Sequence, residues 1–389
     1  RKDIKEYPEF FLDMRLDCGI RFNWSRLDIS KVYRAEFWNG DKLLYKIPLV
    51  DTDTYTPLPH CIISWHVKVF ENDIEIYSEV FTLKDKTVFI KMDSGALGDV
   101  LSWMGQVINF KKESGCKKLY IKFSDWAGRV EMLNEGRYNR DGIFFTKRNI
   151  DCNYYIALNL HFTEAEPYSD SEWHKNKWHQ VALGQVAADM LGITYIETRP
   201  YMSIEYKDKN IDSNGQLSIN FSEATKSIVI GPEASGPGLK HWQRDGGWQH
   251  LIDWHVDNGY TVFYSGLKSH RKHGYKNVIT LPKDFKSAAL AMRECEYFIG
   301  LSSGLSWLAW SLDVTVIMIS GMSLEFQEFN DKCVRIINKN VCHGCWHTPG
   351  VGTIFGIWNK CPEHKGTSRQ WECTKSITPE YVIERILSR

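Results

Sequence analysis

The chain has 389 residues, long enough for two to three domains. Lys+Arg and Asp+Glu both number 48, so the formal net charge is zero, which argues against nucleic acid or an anionic membrane held by bulk charge. At 43% hydrophobic and 25% charged the composition is globular, no apolar run reaches the 18 residues of a membrane span, and the opening RKDIKEYPEFF lacks the apolar core of a secretory signal.

Residues 1 to about 85 read as a small antiparallel β domain. RAEFWNGDKLLYKIPLV places strand-like runs on either side of Asn39-Gly40, a hairpin signal, and CIISWHVKVFENDIEIYSEVF repeats the pattern around Glu71-Asn72-Asp73. The pattern changes near Lys86. Thr87–Met92 is a β-branched and aromatic run. Leu97, Leu101, Met104 and Ile108 then fall at helical spacing up to Gly115, and Lys117–Phe123 is the next strand. This strand–loop–helix–strand unit begins a parallel sheet, and a helix is expected at about 176–191.

A second alternating block starts near Lys226. Strands are expected at SIVIG, YTVFY, YFIGL and VTVIMI, and helices at GGWQHLIDWHVDNG, FKSAALAMRECE and LSWLAWSLD. Two such blocks predict two Rossmann-like domains facing across a cleft, with ligands beyond the carboxyl ends of the strands. The expected boundaries are 1–85, 86–222, 223–335, a cysteine-rich segment at 336–375 and a terminal helix at 376–389.

Three segments carry chemistry. Ser94-Gly95-Ala96-Leu97-Gly98-Asp99 joins a strand to a helix start, and Asp99 there either complements the helix dipole or acts as a general base. Gly231–Trp242 is a Gly/Pro loop that delivers Lys240 close to a helix start, a pairing suited to a diphosphate. Ser302, Ser303 and Gly304 form a strand-to-helix turn of the phosphate-cradle kind, and Lys268 after the YTVFYSG strand is a further phosphate candidate. The glycines do not form GxGxxG, so neither nicotinamide nor flavin is expected, and GxSxG-type hydrolase chemistry is not a good reading of these serines.

The fourth segment is Cys342-His343-Gly344-Cys345, then Cys361 and Cys373. That spacing predicts a closed, structural four-thiolate metal site, with zinc the default from spacing alone. His343, His347 and His364 lie nearby as loop residues.

GALGDVLSWMGQV, GLKHW and LSSGLSWLAWSL resemble, in order and spacing, signature segments of ADP-heptose-dependent heptosyltransferases, over about residues 86–330. The resemblance implies a GT-B glycosyltransferase with Asp99 as base and Lys240 on the diphosphate. Lipopolysaccharide-type members carry Asp-[Ser/Thr]-Gly-x-x-His at the third segment; here Ser302 and Trp307 stand at the Asp and His positions. With the β domain and the four-cysteine finger, the whole chain resembles the bacterial autotransporter heptosyltransferases. That resemblance implies an inverting, cytoplasmic enzyme that moves heptose from ADP-glycero-manno-heptose to serines of an autotransporter passenger. It further implies one structural iron per chain, held by Cys342, Cys345, Cys361 and Cys373, and a dodecameric ring. Loss of the finger would then act through assembly or acceptor docking rather than through ADP binding. A lipopolysaccharide core transferase, or a non-enzymatic metal-organised assembly protein, are the other readings.

Overall fold

The computed structural model describes residues 5–7, 10–15, 19–24, 30–49, 53–55, 64–124, 130–150, 152, 154–158, 180–204, 226–234, 238–266, 274–348 and 361–389. The N-terminal part is antiparallel. β1 (Lys5–Tyr7), β2 (Phe10–Arg15), β3 (Gly19–Trp24) and β6 (Asp53–Tyr55) form one sheet in the order β1-β2-β3-β6. β4 (Tyr33–Asn39), β5 (Lys42–Leu49), β7 (Ser64–Glu71) and β8 (Ile74–Thr82) form a second, in the order β5-β4-β7-β8. Both expected hairpins are present. Gly40 turns the first at φ 55°, and Asn72 and Asp73 turn the second at φ 47° and 71°, as a tight two-residue connection requires. Ala35, Phe37, Val67 and Val69 are fully buried, alternating along β4 and β7 as one covered sheet face demands.

The chain then switches to parallel pairing. β9 (Thr87–Met92) leads into α1 (Leu97–Ser114), followed by β10 (Lys118–Phe123), α2 (Glu135–Arg140), β11 (Ile143–Phe145), β12 (Tyr154–Leu158) and α3 (Leu183–Leu191). The strand order is β11-β10-β9-β12, all parallel. Helix α3 begins at Leu183, later than the sequence pattern suggested. Ala182 before it is extended, at φ −60° and ψ 150°, so the helical part of that run is its Ala/Val/Leu-rich end.

The second parallel sheet holds β13 (Ser227–Gly231), β14 (Thr261–Tyr264), β15 (Ile279–Thr280), β16 (Tyr297–Leu301), β17 (Val316–Ile319) and β18 (Cys333–Ile336). Its order is β15-β14-β13-β16-β17-β18, so the winding reverses between β13 and β16. The crossover helices are α4 (Gly247–Asp257), α5 (Phe285–Glu294) and α6 (Gly304–Ser311); α7 (Glu372–Lys375) and α8 (Pro379–Leu387) end the chain. Every residue of β13, β16 and β17 is buried. Val229 and Phe298 face a core with α5 and α6, while Ile228, Ile230 and Ile299 face another with α4 and α8. Burial on both faces is why these strands read as unbroken apolar runs.

The core on the α5–α6 side continues without a break into that of the first parallel sheet. Its joint is helix α1 against helix α6. A Cβ on Gly304 would lie 2.9 Å from Leu97 Cβ, and one on Gly98 would lie 2.9 Å from Trp307 Cδ1, so both glycines are needed for the approach. Trp307 is 4% exposed and packs edge-on against Trp310 and Phe329. Trp307 is thus part of an apolar seam between the two parallel domains.

Candidate functional site

In a doubly wound sheet the crevice opens where the winding reverses, outside the carboxyl ends of the strands. In the first parallel sheet that point lies between β9 and β12, and in the second between β13 and β16. The loops leaving β9, β13 and β16 are the Ser94–Gly98, Gly231–Lys240 and Ser302–Gly304 segments. Topology therefore brings the three sequence motifs to one place, and the α1–α6 contact presses the first against the third.

Asp99 lies in the first turn of α1 and accepts a hydrogen bond from the Ser94 hydroxyl. Lys240 ends a short 3₁₀ turn, Gly238–Lys240. Burial lowers its pKa, while the carboxylates of Glu328 and Asp99 raise it. The ammonium is therefore within electrostatic reach of Asp99 on the other sheet. Ser302 and Ser303 are each 7% exposed. The Ser302 hydroxyl donates to Glu328, and the Ser303 hydroxyl, at the N-cap of α6, is buried with no protein hydrogen-bond partner. Lys268 lies outside the described residues.

Two charged residues absent from any motif complete this region. Glu328 is 3% exposed on the segment joining β17 to β18, and Arg335 lies on β18. Arg335 Nη1 donates to Glu328 Oε2 at 2.6 Å. On the other flank Glu233, 1% exposed, accepts from the Tyr264 hydroxyl at 2.7 Å. A groove beside it is lined by Pro232, His241, Trp242, Arg244 and Tyr275.

The four cysteines lie in a second region, near enough to feel one another's charge, though no three of their sulfurs come mutually within 4.8 Å. Cys345 and Cys361 are buried, and Cys342 and Cys373 partly so. Burial pushes the Cys345 thiol up to about 12, with Cys373, Cys342 and Cys361 adding to the effect; burial and then Cys361 push Cys373 to about 11. Cys342, Cys345 and Cys373, whose ionisation burial and neighbouring sulfurs oppose, form with Cys361 a donor set that a soft or borderline cation would stabilise as thiolates. The donor chemistry therefore fits a bound metal. His364 and Glu372 also come within 4.8 Å of Cys342, ligand atom to ligand atom. Spacing had set His364 aside as a loop residue; the fold makes it a neighbour of the centre.

Two parallel domains joined near their switch points, with Asp99 of α1 within electrostatic reach of Lys240, form the GT-B architecture of glycosyltransferases. Glycosyltransferase family 9 (heptosyltransferase) matches residues 166–347. The autotransporter heptosyltransferase Aah of Escherichia coli is 27% identical over 321 residues, spanning 78% of this chain and 74% of its own length. The inactive autotransporter heptosyltransferase BimC of Burkholderia thailandensis is 26% identical, spanning 80% and 71%. The crystal structure of dodecameric iron-containing heptosyltransferase TibC in complex with ADP-D-beta-D-heptose superposes with a TM-score of 0.77 at 23% identity, covering 100% of this chain and 98% of TibC. TibC comes from enterotoxigenic E. coli. The chain is thus similar to the autotransporter heptosyltransferases and, over residues 166–347, to the heptosyltransferases of family 9. No helix among the described residues is long and apolar enough to cross a membrane.

Proposed function

We propose that this enzyme transfers heptose from ADP-glycero-manno-heptose to serine hydroxyls of an autotransporter passenger protein, with inversion at the anomeric carbon. The observation that supports this reading is that the loops leaving β9, β13 and β16 converge at the α1–α6 contact, where Asp99 lies within electrostatic reach of Lys240. Lys240, the Ser302–Ser303–Gly304 turn and the N-terminus of α6 would hold the diphosphate, with Lys268 as a further cation. As the bond from the anomeric carbon to ADP breaks, its electron pair leaves with the β-phosphate, and these donors stabilise the charge that develops there. The serine oxygen forms the new bond from the opposite face. Its proton passes to the Asp99 carboxylate, which the Ser94 hydroxyl orients.

The four cysteines would hold one structural iron per chain, in keeping with the iron-containing relative, and no bond-breaking step involves it. The same relative supports a dodecameric ring. The proposed setting is cytoplasmic, before the passenger is secreted. The working divisions are 1–85, 86–222, 223–335, 336–375 and 376–389.

Co-expression with a serine-containing β-helical passenger and an ADP-heptose source, followed by intact-mass analysis, tests the reading. Passenger masses raised by whole heptose units in an Asp99-dependent manner are expected. An unmodified passenger beside a folded, metal-loaded protein would overturn it in favour of a non-enzymatic assembly role, a real alternative given the inactive relative.

A further inference from the structure

Glu328 carries a buried negative charge that the transfer mechanism above does not use. Its Oε1 accepts from the Ser302 hydroxyl and, at 3.3 Å, from the Ser323 hydroxyl; its Oε2 accepts from Arg335 at 2.6 Å. Arg335 and Glu328 side chains are 7% and 3% exposed. Burying an ion pair costs desolvation that its attraction offsets only in part, so stability alone is a weak reason for the pair. Position supplies a better one. Ser302 is the first residue after β16, at the reversal of the sheet, and Ser303 follows as the cap of α6. The pair thus lies directly beneath the turn that holds the buried, unpartnered Ser303 hydroxyl.

We propose that Glu328 is a positioning residue of the donor pocket, fixing the β16–α6 turn through Ser302 so that Ser303 and the helix N-terminus meet the diphosphate. This deepens, and rests on, the donor-site reading of that turn. The charges around the pocket agree with it in sign: Lys240 feels the carboxylates of Glu328 and of Asp99 from α1, and Glu328 has Arg335 and Cys333 of β18 around it. Both carboxylates oppose the burial that would discharge the ammonium. A neutral group at 328 removes one of them.

The test compares Glu328→Gln, Glu328→Asp and wild type in full-length, metal-loaded protein. ADP affinity is measured by calorimetry from pH 6 to pH 9, with thermal unfolding alongside. Glu328→Gln should bind ADP about tenfold more weakly than wild type at pH 8. Glu328→Asp, which keeps a carboxylate there, should recover part of the loss. A ratio of one at every pH would overturn the proposal. A loss that merely follows a lowered unfolding temperature, with no recovery in Glu328→Asp, would overturn it too, by showing a role in the fold alone. Wild-type protein that binds no ADP would overturn the donor-site reading itself, a distinct result.

Discussion

Trp242 donates its indole N–H to the backbone carbonyl of Ile377 at 3.0 Å, which ties the Lys240 segment to the chain just beyond the last cysteine of the finger. The Gln243 amide donates to the Thr374 hydroxyl at 3.3 Å beside it. From the other limb of the finger, the Gly344 amide donates to the Gly321 carbonyl at 2.8 Å and the Trp346 amide to the Met322 carbonyl at 3.0 Å. Residues 321 and 322 lie between Ser320 and Ser323, whose hydroxyls share a hydrogen bond, and Ser323 reaches Glu328. The finger therefore grips the donor pocket from two sides. On sequence grounds its loss was expected to act through assembly or acceptor docking and to spare ADP binding; these bonds supply a route by which it would reach the donor pocket as well.

Metal removal should accordingly weaken ADP binding. Each neutral hydrogen bond contributes on the order of 1 kcal/mol, so freeing one limb corresponds to about a tenfold rise in Kd. Cys345→Ser should do the same and lower metal content. Elemental analysis with calorimetry on the folded, metal-depleted protein checks this. An unchanged Kd in that protein would show the two centres to be independent.

Asp99→Asn should separate chemistry from binding. The amide retains the shape and can still pair with Ser94, but it cannot take up a proton. Transfer should fall by roughly 10²–10⁴, the usual weight of a general base, while ADP affinity changes little. Single-turnover rates on a pre-formed donor complex decide it, and near-native turnover would remove Asp99 from the reaction.

Much of the scaffold was legible because each signal was local. Thr87–Met92 appears as a strand with the bounds its β-branched run suggested, and α1 ends at Ser114 before Gly115, at φ 62°, as predicted. The three motif loops could be placed together because strand alternation alone implies a reversal point. Glu328 and Arg335 were not legible. Each is a single charge outside any motif, and they meet only because β17 pairs with β18 and folds the intervening segment under Ser302. The same holds for His364 and Glu372, which reach Cys342 through the fold and not through spacing. Trp307 read as a departure from a polar pattern; its reason is Gly98, more than 200 residues earlier in the chain.

Gly105→Ala should destabilise the first parallel domain, although Ala is the better helix former by about 1 kcal/mol. A Cβ at this position of α1 would lie 1.9 Å from the Thr198 carbonyl oxygen, which is backbone and cannot swing away. Gln106 Nε2 and Asn109 Nδ2 donate to the Ile196 carbonyl at 2.9 and 3.2 Å, pinning that segment against the helix. Overpacking of this kind costs about 1–3 kcal/mol or more, enough to reverse the intrinsic preference. A urea midpoint equal to or above wild type would refute the contact.

His255 should make the second parallel domain sensitive to acid. The ring is fully buried between α4 and β16, with Nδ1 2.6 Å from the Leu251 carbonyl and Nε2 2.8 Å from the Tyr297 hydroxyl. A carbonyl only accepts, so Nδ1 carries the proton and Nε2 accepts from Tyr297 in the neutral ring. Its pKa is lowered to about 4, chiefly by burial and also by Arg389 and Lys226, while the Leu251 carbonyl and Glu296 oppose them. Above the ordinary histidine value of about 6.5 the ring is neutral folded or unfolded, and pH has no leverage through it. Between about 6.5 and 4 the unfolded chain binds a proton that the native state refuses. Stability therefore falls as pH falls, by about 1.4 kcal/mol per unit at most, and the loss levels off below the folded pKa. His255→Gln cannot take up that proton. It should be less stable at pH 7, where its fit is poorer, yet lose less on going to pH 5 than wild type does. Urea midpoints of both proteins at pH 7, 6 and 5 measure the difference in slope, and parallel lines would show that the acid sensitivity arises elsewhere.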